Sequence, residues 1–384
     1  MKKTLAALAV LGAFAGSAVA ADVTLYGLVD YGFGYQHTDS DYPGDAQNTF
    51  QMKSGQNSGS RFGLKGKEDL GNGLTAGFVL ENGFAGDTGA LSTNGRLFDR
   101  EANLYLSGAF GTLSFGRVGQ LASANGSYGL LGRVSPFSSG WGDSIGAKFV
   151  TADGWGRLDN TVTYVTPNFA GFKVYAQYSF KNNSSEDGTE GKSDANRYYG
   201  VAATYDADNL SLVAVIDSIN HGKKMYFGGT AYNYTYSDDD QWTFTVGGNY
   251  DFNVAKVYAM GQYFMNAAAV GQKTIGNTGF GKFGYSFADT PAWHGADGYG
   301  LALGVAVPAF GGTAKAHVGY LDAEASENSN FDFKRWNVAV GYDYSLSKRT
   351  SVYTAAAYTK DDASNYTGHE LSAVEVIAGL IHKF

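Results

Sequence analysis

The chain has 384 residues, a formal net charge of −8 at pH 7, 54 glycines, 27 tyrosines, 25 phenylalanines and no cysteine. The absence of cysteine excludes a disulfide framework and any thiolate metal site, and an acidic balance without a basic tract gives no support for nucleic-acid binding. No segment after the N-terminus approaches the roughly 20 consecutive apolar residues of a membrane-spanning helix. A mean hydropathy of −0.21 still permits a membrane β-barrel, because a strand with one lipid face and one wet face needs apolar residues at only half its positions.

The N-terminus has the pattern of a secretory signal peptide. Two lysines precede an apolar run from Leu5 to Phe14, and Ala18 and Ala20 supply the small residues of a cleavage site. We predict cleavage after Ala20, so that residues 1–20 are the signal peptide and 21–384 the exported domain. Removing these 20 residues with their two lysines takes the chain from 384 residues to 364 and its formal charge from −8 to −10.

Apolar and polar residues alternate with a period of two along nearly the whole exported chain. The last segment shows this most clearly, because Val374, Val376 and Leu380 alternate with residues such as Glu375, and the chain ends on the aromatic Phe384. We predict sixteen strands, near residues 23–36, 61–67, 74–84, 96–107, 111–117, 158–166, 171–181, 197–206, 209–219, 240–252, 254–266, 297–309, 312–323, 333–346, 349–360 and 370–384. An even count places both termini on one side and lets the first and last strands pair.

The predicted connections are alternately short and long. Brief turns such as 71–73 and 347–348 separate pairs of strands, whereas 37–59, 182–196, 220–238, 267–296 and 361–369 are long and polar. Short periplasmic turns and long external loops are typical of outer-membrane barrels. The sequence therefore predicts an all-β fold, a transmembrane antiparallel β-barrel of sixteen strands in one domain.

One connection, residues 118–156, differs in kind. It is the longest interval without a clear strand, yet its only charged residues are Arg133, Asp143, Lys148 and Asp153, amid leucine, phenylalanine and tryptophan. A loop of this length is usually functional, and one this apolar is not expected to extend into water. We predict that it folds into the barrel as its third long loop and narrows the channel.

Several strings of the sequence resemble the Gram-negative general porins of the neisserial and β-proteobacterial type. They lie at Asp22–Gly27, Ser60–Gly66, Glu68–Leu74, Phe110–Gly111, Gly116–Arg117, Arg157–Val162, Gly171–Phe172 and His382–Phe384. The resemblance covers the whole exported chain. It implies a homotrimer in the outer membrane, passive diffusion of small hydrophilic solutes and ions, and a third loop that folds inward opposite basic residues of the wall. It also implies that Phe384 is part of the signal that the barrel-assembly machinery recognises.

The resemblance implies a basic wall at Arg61, Lys65, Arg100, Arg117 and Arg157. For Arg61, Lys65 and Arg157, strand parity agrees, because each alternates with apolar neighbours and should face the lumen. Arg100 and Arg117 share parity with apolar residues, so strict alternation would turn Glu101 inward in place of Arg100, and a β-bulge would be needed to turn either arginine inward. The alternative for Arg61, Lys65 and Arg157 is that they merely solvate a wet lumen wall.

These features predict a general diffusion porin in contact with outer-membrane lipid and lipopolysaccharide, with weak anion selectivity. Asp143 is expected to face the basic wall, with an ordinary loop acid as the alternative, and Asp99, Glu101 and Asp143 would offset the cluster if they line the same gap. The alternatives are a substrate-specific sugar channel, which would need an aromatic ladder, and an outer-membrane hydrolase. No catalytic motif, cofactor or metal site is predicted. Loop acids at Asp39, Asp41, Asp45 and 238–240 offer oxygen ligands for Ca²⁺, although solvated charges are the simpler interpretation.

Overall fold

The computed structural model describes residues 23–40, 46–152, 154–186, 188–222, 225–227, 230–232, 239–271, 285–286, 295–326, 328–363 and 370–384. The predicted signal peptide and the acids Asp41, Asp45 and Asp238 lie outside these residues. Within the described part, no helix is long and apolar enough to cross a membrane.

Sixteen long strands form one closed antiparallel sheet. They are β1 (Thr24–Ser40), β2 (Arg61–Gly71), β3 (Leu74–Ala85), β4 (Glu101–Gly108), β5 (Gly111–Gly119), β6 (Arg157–Val165), β7 (Phe172–Ser179), β8 (Arg197–Ala207), β9 (Leu210–Asn220), β10 (Gln241–Asp251), β11 (Lys256–Ala267), β12 (Ala296–Ala309), β13 (Gly312–Ala325), β14 (Asn328–Ser345), β15 (Thr350–Asp362) and β16 (Glu370–Lys383). Each strand pairs with the next, and β16 pairs with β1 from Leu28↔Lys383 to Ser40↔Leu371. The predicted sixteen-stranded barrel is confirmed.

Exposure alternates along the strands as the sequence pattern predicts. In β16, Val374 and Val376 are 38% and 41% exposed, whereas Glu375 and Ile377 are 2% and 1% exposed. The exposed side chains are apolar and form the outer face, which meets lipid in a membrane barrel. The buried set includes carboxylates and amides, so the inner face is polar.

Phe384 completes the closure of the barrel. Its backbone N–H donates to Gly27 O at 3.0 Å, and its backbone O accepts from Gly27 N at 3.1 Å. The phenyl ring lies over Gly27 so closely that a side-chain carbon there would collide with it. An aromatic ring that covers a glycine on a neighbouring strand fixes the register of the pair.

Several boundaries differ from the sequence prediction: β1 ends at Ser40 and β2 at Gly71, each four residues later, and β14 begins at Asn328, five residues earlier. Residues 37–59 were predicted as a loop, but Gln47–Ser54 is a strand that pairs with Tyr31–Thr38. Phe33 and Phe50 stack across this pair with ring centroids 5.7 Å apart. Because Tyr31–Thr38 also pairs with β16, the added strand extends the barrel wall next to β1. The fourth strand begins at Glu101, five residues later than predicted. The residues before it form turns, and from these turns Arg96 and Arg100 point into the barrel.

The apolar core lies inside the barrel, between the wall and the segment from residue 120 to 156. This segment contains two short 3₁₀ turns, Leu131–Arg133 and Ala147–Val150. One cluster joins its first and last parts to β7–β14, and a second joins its middle to β14–β16. The buried residues of the segment include Leu121, Leu131, Val134, Phe137, Trp141, Ile145, Phe149 and Val150.

Candidate functional site

The segment 120–156 is held against the inner face of the wall by hydrogen bonds to inward-pointing amides. Leu121 N donates to Gln177 Oε1 at 3.2 Å, and Ala152 N donates to Gln262 Oε1 at 2.8 Å. These amides replace the backbone partners that a chain without regular structure would otherwise lack. The segment therefore takes a fixed course inside the barrel.

Arg335 provides the strongest anchor. Its side chain is fully buried, and two of its nitrogens reach the two carboxylate oxygens of Asp361 at 2.6 Å each. The same guanidinium donates to Phe149 O at 2.9 Å and to Gly271 O. Sequence reasoning did not identify Arg335, because its role depends on a loop 186 residues away.

A group of charged residues lies on the inner face of β2, β3 and the chain that enters β4. Arg100 Nε contacts Glu81 Oε1 at 2.6 Å, and Arg61 Nη1 lies 3.8 Å from the same oxygen. Tyr26 donates its hydroxyl to Glu81 Oε2 at 3.0 Å, and Lys65 Nζ lies 5.1 Å from the centre of the Tyr26 ring. The Glu81 carboxylate thus contacts both Arg61 and Arg100.

Arg100 and Glu101 both point inward, although strict alternation allows only one of them to do so. Parity does not apply to Arg100, since it precedes the first residue of β4. Glu101 is 3% exposed and accepts a hydrogen bond from Ser127 N at 3.1 Å. The charged side chains of Arg100 and Glu101 therefore both lie inside the barrel.

Arg117 reaches the lumen through a bulge. The register of β5 and β6 shifts between Gly116 and Val118, and Gly116 has a φ of +124°, which favours glycine. Arg117 Nη1 contacts Asp159 Oδ1 at 2.5 Å, and its Nε donates to the backbone oxygen of Asp99 at 2.7 Å. The bulge turns a side chain inward that regular alternation would turn to lipid.

Arg96 joins this group from the long connection before β4. Its Nη1 contacts Asp159 Oδ1 at 2.6 Å, and its Nη2 donates to Ser184 Oγ at 3.0 Å. Asp159 also accepts from the N–H and the hydroxyl of Ser184. Sequence reasoning missed Arg96, because nothing in the local pattern indicates a contact with a strand 63 residues away.

Arg157 differs from Arg61, Arg96, Arg100 and Arg117 in having no ion pair within the described part of the chain. Its Nε is buried without a hydrogen-bond partner, and among the described residues no ion pair involves it. We call the following nine residues the arginine cluster: Arg61, Arg96, Arg100, Arg117, Arg157, Glu81, Asp99, Glu101 and Asp159. With five cations and four carboxylates, the cluster has a formal charge of +1.

The three other charges predicted on the loop lie in separate places. Asp143 forms an ion pair with Lys53, a residue of the Gln47–Ser54 strand, which sequence reasoning had assigned to a loop. Arg133 Nη1 contacts Asp206 Oδ1 at 2.9 Å, at the short-turn end of the barrel. Lys148 Nζ lies 4.7 Å from the centre of the Phe149 ring. Asp143 and Arg133 thus hold different parts of the segment to the barrel, whereas the ring under Lys148 belongs to the segment itself.

Comparison with known proteins agrees with this architecture. A family model described as Gram-negative porin matches residues 6–364. An outer membrane porin of Bordetella pertussis is 33% identical, with all of both chains covered, and outer membrane porin protein 32 of Delftia acidovorans is 32% identical over 99% of this chain and 95% of its own. A solved structure, the anion-selective porin from Comamonas acidovorans, is 27% identical with a TM-score of 0.67, over 94% of this chain and 99% of that one.

The apolar outer face of a closed sixteen-stranded barrel is suited to contact with membrane lipid. Its polar, charged interior is suited to a water-filled channel. The family match over most of the chain and the two full-length relatives agree with this interpretation. The chain therefore belongs to the Gram-negative porin family and is a general diffusion porin of the outer membrane.

Proposed function

We propose that this porin is weakly anion-selective and that its constriction lies between the segment 118–156 and the wall that carries the arginine cluster. Lys65 extends this wall toward the short-turn end. The segment contacts β7, β11, β14 and β16, and on the cluster side Ser127 N donates to Glu101 at the start of β4. The lumen next to β2 and β3 is therefore the side left for solutes.

The observation that carries the proposal is the charge of the cluster. Five arginines and four carboxylates meet on one part of the wall, and Arg157 lacks an ion-pair partner among the described residues. Charges in narrow, water-filled space act strongly on passing ions. The more distant loop acids, which make the exported chain acidic overall, are screened beyond about 8 Å at physiological salt. A single net charge favours weak selectivity, and the anion-selective porin named above supports the same sign.

We also propose that the protein is a homotrimer in contact with outer-membrane lipid and lipopolysaccharide, exported through a signal peptide of residues 1–20. The pairing of Phe384 with Gly27 supports a role for the C-terminal strand in recognition by the barrel-assembly machinery, because that strand closes the sheet. Asp143, Arg133 and Lys148 are proposed to act by positioning the segment.

Liposome swelling tests the diffusion mechanism. Purified protein in liposomes should admit neutral sugars at rates that fall smoothly with molecular size and do not saturate with concentration. A saturable rate for one sugar would favour the substrate-specific channel. Release of fatty acid from the liposome lipid by pure protein would favour the hydrolase.

A further inference from the structure

We propose that a cavity at the external mouth of the channel, which shares Arg96, Arg117 and Arg157 with the arginine cluster of the constriction wall, captures small hydroxylated carboxylates, such as sugar acids, as they enter the constriction. The inference rests on the proposed anion selectivity and names a class of solute for it. The cavity has a volume of about 650 Å³ and lies at the long-loop end of β6, β8, β9 and β10.

The lining of this cavity combines guanidinium and carboxamide groups with one carboxylate, Glu186. Arg96, Arg117 and Arg157 contribute the cations, and Asp159 already pairs with the first two. Arg157 is therefore the cation whose charge is available to a solute. A guanidinium without a counter-ion binds a carboxylate through two parallel hydrogen bonds.

The carboxamides of the lining are held in place by the protein. They belong to Gln120, Asn182, Asn183, Asn196 and Gln241. Gln120 Oε1 accepts from Gly156 N at 3.1 Å, and Asn196 Oδ1 accepts from Gly222 N at 2.6 Å. Asn183 and Asn196 each donate to Glu186. Each amide nitrogen has two hydrogens, so one donor remains after such a bond.

Unmet hydrogen-bonding groups concentrate at the same cavity. Arg157 Nε, Trp155 Nε1 and Asn182 Oδ1 are buried without a partner among the described residues, and all three side chains line the cavity. Buried polar groups in native proteins are nearly always satisfied by protein, water or a ligand, so these three groups can bind water or a polar solute in the cavity. Small side-chain movements would bring these atoms into contact with it.

The chemistry of the solute follows from the two kinds of group. The guanidinium of Arg157 selects a carboxylate, whereas carboxamides both donate and accept and so match hydroxyl groups. A neutral sugar lacks the first feature and a fatty acid lacks the second. A site built to bind hydroxyl groups discriminates strongly against analogues without them.

Block of single-channel current by gluconate tests the proposal. Hexanoate, with the same number of carbons but no hydroxyl group, and neutral glucose are the comparison solutes, each added to either side in turn. We expect gluconate to block the native channel at a concentration at least about tenfold lower than either one. Arg157→Gln should raise the half-blocking concentration of gluconate at least about tenfold.

Asn182→Leu separates this site from general anion selectivity. It removes a carboxamide without changing charge, so gluconate block should weaken about threefold while the reversal potential in a KCl gradient stays unchanged. Asn209→Leu, in an exposed turn at the opposite end of the barrel, should leave both unchanged. The capture site would be overturned if gluconate and hexanoate blocked the native channel at equal concentrations. It would also be overturned if the Asn182→Leu channel had the same half-blocking concentration of gluconate as the native channel. A preference for anions in the KCl gradient would then still support the proposed anion selectivity. The absence of that preference would contradict both the anion selectivity and the capture site.

Discussion

Replacing Glu81 with glutamine should strengthen the preference for anions. Glu81 is the only carboxylate for which the structure shows contacts to both Arg61 and Arg100. Glutamine keeps the shape: its oxygen can still accept from Arg100, and its amide nitrogen can donate to the Tyr26 hydroxyl in place of the bond that Glu81 accepts from it, so the positions of the arginines should persist. The formal charge of the arginine cluster then rises from +1 to +2.

The size of the effect follows from Coulomb's law. A unit charge about 7 Å from an ion in water contributes about 0.6 kcal/mol, and a Debye length of about 10 Å at 0.1 M salt reduces this to about 0.3 kcal/mol. The added charge favours an anion and disfavours a cation by that amount each. The ratio of anion to cation permeability should therefore rise about threefold.

The assay is the reversal potential of single channels in planar bilayers across a KCl gradient. Arg157→Gln should lower the same ratio about threefold, because it reduces the cluster to zero charge. Glu68→Gln is the matched control, since its side chain lies on the outward parity of β2 and is exposed. If Glu81→Gln and Glu68→Gln give the same reversal potential, Glu81 does not act on ions in the channel and the reasoning is wrong.

Three further predictions concern stability and assembly. Arg335→Met should lower the free energy of unfolding by about 3–5 kcal/mol, because it leaves Asp361 buried without that cation. Denaturant titration in detergent measures this free energy. A variant as stable as the native protein would contradict the role of Arg335 as an anchor. Deletion of Phe384 should reduce surface levels, whereas Phe384→Tyr, which keeps a ring over Gly27, should retain them; full surface expression of the deletion would count against a role in assembly. Crosslinking in mild detergent should yield a trimer, and a species that never exceeds the monomer would refute the proposed oligomer.

Strand parity predicted the barrel because period-two alternation is a local property of the sequence. It also predicted that Arg61, Lys65 and Arg157 belong to the inner face. Parity was insufficient for Arg100, whose direction depends on where β4 begins, and for Arg117, whose direction depends on the bulge at Gly116. Both features are set by packing between distant segments.

The partners of the charged residues could not be read from the sequence. Lys53 and Asp143 are 90 positions apart, and Arg96 and Asp159 are 63 apart. Contacts at such separations depend on the course of the segment 120–156 and of the external connections, which lack regular alternation. Sequence reasoning identified Arg61, Arg100, Arg117 and Arg157, but neither Arg96 nor Glu81, the carboxylate that Arg61 and Arg100 share.

The most direct test of the account is the reversal potential of the native channel and of the Arg61→Glu/Arg157→Glu variant across a KCl gradient. The two substitutions change the formal charge of the arginine cluster from +1 to −3. The account predicts weak anion preference in the native channel and cation preference in the variant. An unchanged reversal potential would show that these residues do not line the constriction.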